Sequence, residues 1–151
     1  MRLRCKIFTL GAFILLAAVA FANKHHELNG TWSLVPGQSN FAGGPDILYG
    51  TLTIDDREGN LYVSRNFDFD DNDHGMIAYE FSADGPEHST IRQGKEFKTK
   101  GRWEGDVLKV TTVQDGHTTV ERFSLTPDGN LMLVVHRDNA APMTLMFRRI
   151  G

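Results

Sequence analysis

From residue 30 to the end of the chain, apolar and polar positions alternate in short runs rich in Val, Ile, Thr, Phe and Tyr. No stretch keeps the 3.6-residue period of a helix, and period two is the mark of half-buried strands. Between the runs lie Asp56–Asn60 (DREGN), Ala83–Pro86 (ADGP), Glu104–Asp106 (EGD), Asp115-Gly116 and Pro127–Asn130 (PDGN). Asp-Gly and Gly-Asp pairs supply the positive φ of tight hairpins, so neighbouring strands are expected to pair antiparallel. The pattern predicts an all-β, up-and-down meander of eight to ten strands. Closure into a barrel is how such a chain disposes of its edges.

Register sharpens this expectation, because a slip of one residue exchanges the two faces of a strand. Gly105-Asp106 and Asp115-Gly116 are read as two-residue turns, and PDGN as the loop that sets Thr126 opposite Leu131. One face then carries Phe97, Thr99, Gly101, Trp103, Leu108, Val110, Phe123, Leu125, Met132 and Val134. A turn near Asn139-Ala140 adds Met143, Leu145 and Phe147 to it. The opposite face is not cleanly polar, since Val107, Val113, Val120, Leu133, Val135 and Met146 fall there. A β-bulge, a second packed layer or an oligomer contact would each account for them.

The first 22 residues read differently. Arg2, Arg4 and Lys6 precede an apolar run from Ile7 to Ala22 that ends Ala20-Phe21-Ala22. A basic head, an apolar middle and small residues two apart make a secretory signal peptide, with cleavage expected before Asn23. An uncleaved anchor is the rival, but the run is short of the ~20 residues that span a bilayer comfortably. Cleavage takes 22 of the 151 residues and leaves a single domain, 23–151, by length. It also removes Cys5, the only cysteine, so a hydrophobic core and not a disulfide must hold the domain in an oxidising compartment. Without the three leader cations, 13 of the 16 Lys+Arg remain against 19 Asp+Glu, a net charge of −6. That balance argues against nucleic acid and anionic membrane surfaces as partners, and no stable membrane insertion is expected after cleavage.

Carried to the last strand, the same face reaches Arg149. If the sheet closes, the first strand pairs with the last and Trp32 arrives beside it, where guanidinium over indole is favourable. Gly30-Thr31-Trp32 on the first strand with an arginine on the last resembles the lipocalin and calycin pattern of small barrels. The Thr-Asp-Tyr motif and the disulfide of that pattern are absent. The chain after the leader also resembles small secreted bacterial proteins of unassigned function that open with a similar Gly-Thr-Trp, Ser and Phe arrangement. The resemblance implies a barrel and a binding role. It also implies that Pro36–Pro45 (PGQSNFAGGP) lies at the open end as a lid, with Trp32 and Trp103 at the closed end.

Candidate chemistry is sparse. The inward face is expected to carry Arg65 between Val63 and Phe67, Tyr79 between Ile77 and Phe81, and Glu121 directly opposite His136. A few polar groups in an apolar cavity orient a ligand. Arg65, Tyr79, Glu121, His136, Phe67 and Trp103 are therefore the candidate ligand-binding residues. The alternative is a buried structural pair, Arg65 with Glu121 or Glu121 with His136. The acidic run Phe67–Gly75 (FDFDDNDHG) fails the calcium-loop spacing, because no glutamate closes a twelve-residue loop from Asp68 or Asp70. Cleavage before Asn23 would expose Asn23-Lys24-His25, whose amine, two amides and imidazole make a square-planar set for Cu(II); His25 is the candidate metal residue.

An enzyme using Glu121 and His136 is a third reading, but no plausible nucleophile is placed beside the pair and no cofactor motif is present, so no cofactor and no catalytic activity are expected. The reading is a secreted or periplasmic barrel binding a small apolar or amphipathic molecule. The alternative is an inhibitor-like protein-interaction module with a filled core, since small barrels are often packed solid.

Overall fold

The computed structural model describes residues 25–151. The leader, its cleavage point and Asn23-Lys24 lie outside the described residues. A 3-10 turn, His26–Leu28, leads into β1 (Gly30–Leu34), and a second, Pro36–Gln38, follows it. Nine further strands come in chain order: β2 (Ile47–Arg57), β3 (Asn60–Phe69), β4 (His74–Ser82), β5 (His88–Arg92) and β6 (Lys95–Glu104), then β7 (Val107–Gln114), β8 (His117–Leu125), β9 (Leu131–Arg137) and β10 (Met143–Arg149). Among the described residues no helix is long and apolar enough to cross a membrane.

All ten strands form one antiparallel sheet in the order β4-β3-β2-β1-β10-β9-β8-β7-β6-β5. The first strand pairs with the last, with Trp32 opposite Arg149, as the sequence pattern predicts. The seam of the barrel falls instead between β4 and β5. Its lower end is fastened by a parallel bridge between Ala83 and Gly101 and a hydrogen bond from Asp84 N–H to the Gly101 carbonyl. Gly101 is needed there for space: a Cβ would run into the Phe81 ring.

The predicted two-residue turns form as expected. Gln114 pairs with His117 across Asp115 (φ 51°) and Gly116 (φ 78°), and Glu104 pairs with Val107 across Gly105-Asp106. The next hairpin is a correction. PDGN does not act as a four-residue loop between Thr126 and Leu131. Thr126 N–H donates to Asn130 O at 2.8 Å, leaving a three-residue loop, Pro127-Asp128-Gly129, with Gly129 at φ 77°. A turn followed by a left-handed glycine is the ordinary three-residue closure. Leu125 therefore pairs with Leu131, and every residue of β9 changes face relative to the expectation. Leu131, Leu133 and Val135 point inward and are buried, while Met132, Val134 and His136 point outward. This accounts for two of the six apolar residues assigned to the outer face.

The lower half of the barrel is packed solid. Trp32, Leu52, Ile54, Leu61, Phe81, Leu108, Phe123, Leu131, Leu145 and Phe147 are all essentially inaccessible. The 3-10 turn closes the bottom: Trp32 Nε1 donates to Leu28 O at 3.0 Å, and Leu28 is buried beneath it.

Candidate functional site

Where the solid half ends, three polar side chains meet. Arg65 of β3, Tyr79 of β4 and Glu121 of β8 occupy inward positions of their strands, and all three are buried. The Tyr79 hydroxyl donates to Glu121 Oε2, and the Arg65 guanidinium makes an ion pair with Glu121 Oε1 through Nη2. Arg65 Nε has no acceptor among the described residues. Burial and the neighbouring carboxylate hold the Tyr79 phenol well above its ordinary pKa. Burial opposes the Arg65 charge, but Glu121 and Tyr79 outweigh it and raise the guanidinium pKa.

Two cavities open above this group. The first, about 180 Å³, is lined by Arg92 of β5 and by Thr99, Thr112, Thr119 and Arg137 on β6 to β9. The second, about 240 Å³, is apolar and is lined by Phe41, Pro45, Phe67, Phe69 and Met143. Arg65, Ile77 and Arg137 line both, so the two are lobes of one mouth. Together they reach the lower part of the ~300–1,000 Å³ typical of small-molecule sites.

The connection Pro36–Pro45 lies over the apolar lobe, to which it contributes Phe41, Gly44 and Pro45. It is tied to β10: Asn40 and Thr144 exchange backbone hydrogen bonds of 2.7 and 2.9 Å, and Val35 N–H reaches Met146 O.

Of the residues singled out from sequence, Arg65, Tyr79 and Glu121 come together, and Phe67 lines the apolar lobe beside them, stacked on Phe147. Two do not join them. His136 is not opposite Glu121; Val135 is, and His136 is an exposed outer residue because of the three-residue loop. Trp103 is not in the cavity but near the bottom of the barrel, its indole stacked on His25 with centroids 3.7 Å apart. Below the polar group the inward side chains, Leu108, Phe123 and Phe147 among them, are buried, and Trp103 lines a separate cavity of about 290 Å³ at the base with His25, Leu28 and Leu125. Asp68, in the acidic hairpin, pairs with His74 at 2.6 Å.

Sequence reasoning placed Phe97 and Thr99 on this face but missed Thr112, Thr119 and Arg137 of the polar lobe. The same alternation that places Leu108 and Val110 inward continues to Thr112, and from Phe123 and Glu121 it reaches Thr119. Arg137 was concealed by the register of β9.

No protein-family model and no curated protein matches the chain. Solved structures do. A "REP1-NXSQ fatty acid transporter" superposes with a TM-score of 0.62 at 17% identity, covering 83% of this chain and 97% of that one. A fatty acid binding protein of Schistosoma mansoni, in complex with arachidonic acid, has a TM-score of 0.61 at 14% identity, covering 83% and 97%. A secretory abundant heat soluble protein from Ramazzottius varieornatus reaches 0.64 at 13%, covering 82% and 96%. The nearly closed ten-stranded meander is the calycin-like fold of these barrels. At such identities the likeness concerns the fold alone.

Proposed function

We propose, with this calycin-like barrel as the premise, that the protein is a secreted or periplasmic carrier of a small amphipathic molecule and does no covalent chemistry. The observation that carries the reading is the two-lobed mouth, one lobe apolar and one polar, above a core that is otherwise solid. Binding proteins orient a ligand in this way, by an apolar surface and a few fixed polar groups. The fatty acid transporter and the arachidonic acid complex among the structural neighbours support the reading. The leader pattern supports export. The filled lower half favours a second reading, an interaction barrel with no small ligand.

The test is an environment-sensitive lipophilic dye added to the folded protein. Enhanced emission that saturates at one dye per chain, and is displaced by medium-chain amphiphiles, is the expected result. No dye binding by the folded protein overturns the carrier reading in favour of the interaction barrel. Intact-mass measurement on exported material should show the loss of residues 1–22, and a retained leader would overturn the assigned location.

A further inference from the structure

The polar lobe has an internal order that a general carrier does not require. Thr99 of β6 pairs with Thr112 of β7, Thr112 with Thr119 of β8, and Thr119 with Arg137 of β9. Three hydroxyls and a guanidinium thus form one cross-strand row, and all four line the lobe. Arg92 lines it from β5, its guanidinium 5.5 Å from the centre of the Phe97 ring. Among the described residues neither Arg92 nor Arg137 has a carboxylate within ion-pair distance. Among the described residues the only acid lining the lobe is Glu121, already engaged by Arg65 and Tyr79. Two uncommitted guanidinium groups and three hydroxyls in a protein of net negative charge make a local anion site.

We propose that this row seats the head of the ligand, and that the head is a phosphate or sulfate monoester whose short tail lies in the apolar lobe. The inference rests on the carrier reading and names its ligand class. A carboxylate has two oxygens and is satisfied by one arginine fork. A tetrahedral ester presents three terminal oxygens, which suits two guanidinium groups and a row of hydroxyl donors. Tail length is limited by the filled core, which leaves only the lobe beneath Phe41 and Pro45 for an alkyl group.

The experiment is displacement of the lipophilic dye by octyl phosphate, octyl sulfate, octanoate and octanol, repeated with Arg137→Gln and Thr112→Val. Octyl phosphate or sulfate should displace at least tenfold more tightly than octanoate, and octanol should be weakest. Equal affinity for the two esters would assign recognition to the three terminal oxygens, and a phosphate preference would add the second charge. Each variant should lower ester affinity, Arg137→Gln by roughly ten- to a hundredfold as for a lost bond to a charged group. Octanol affinity should change far less than ester affinity in both, and an unchanged far-ultraviolet circular dichroism spectrum shows that the variants are folded. Extending the tail from octyl to hexadecyl should gain far less than the roughly fourfold per methylene of full burial. If octanol and octanoate displace as well as the esters, the head assignment fails while the carrier reading stands. If the dye does not bind at all, both fail.

Discussion

The guanidinium of Arg149 lies 4.1 Å from the centre of the Trp32 ring, and the two residues are direct partners across β1 and β10, the first strand and the last. Arg149 also donates to the carbonyls of Asn29 and Glu27, so one side chain ties the last strand, the first strand and the turn below them. Trp32 is wholly buried and its indole N–H is satisfied by Leu28. The contact is therefore both a lid on the core and the clasp of the sheet.

Trp32→Ala should destabilise by about 3–5 kcal/mol, as for other large buried aromatics. Arg149→Ala should cost less, and the double variant should fall short of the sum by ~0.5–2 kcal/mol, the range of a guanidinium–indole contact. Urea unfolding of the four proteins measures the coupling; strict additivity would show that the contact carries no energy.

Arg65 and Glu121 form a buried ion pair, so removing one partner strands the other. Glu121→Leu and Arg65→Met are each expected to cost about 3–5 kcal/mol. The pair of changes Arg65→Met with Glu121→Leu should recover much of that loss, because two apolar groups leave no uncompensated charge. Denaturant midpoints check this, and a double variant as unstable as the sum of the singles would contradict the pairing.

Tyr79 gives an alkaline limit. Its phenol ionises near pH 10 when unfolded and higher in the folded barrel, because of burial first and the Glu121 carboxylate second. The unfolded chain thus releases this proton first. The stabilising contribution is complete below about pH 10 and is lost as pH rises from there toward the folded value. Stability should fall over that range in the wild type and more gently in Tyr79→Phe. Equal slopes in the two proteins would mean that the phenol is not held protonated.

His25 lies against Trp103 at the base of the barrel. In a chain beginning at Asn23, Cu(II) held by the terminal nitrogens and the His25 imidazole would lie close to that indole. Stoichiometric copper should quench Trp103 emission and produce a d–d band in the visible region, both lost in His25→Ala. Copper that leaves the spectrum and the emission unchanged would dismiss the site.

The sequence by itself determined the elements and most of the hairpins. Alternation needs only neighbouring residues, and Asp115-Gly116 or Gly105-Asp106 specify a two-residue turn through their own backbone preferences. It also brought Arg65, Tyr79 and Glu121 to the inner face, and Trp32 to Arg149. It did not determine the register of β9, and the reason is visible in its residues. LMLVVHR is apolar on both faces, so neither phase of the alternation is excluded locally, and PDGN fits a three- or a four-residue closure. Only burial against the rest of the barrel chooses Leu131, Leu133 and Val135 for the inside, and with that choice Arg137 replaces His136 at the mouth. The seam between β4 and β5, the filling of the lower half, and the meeting of Tyr79 with Glu121 across 42 residues of chain are likewise decided by packing between distant strands.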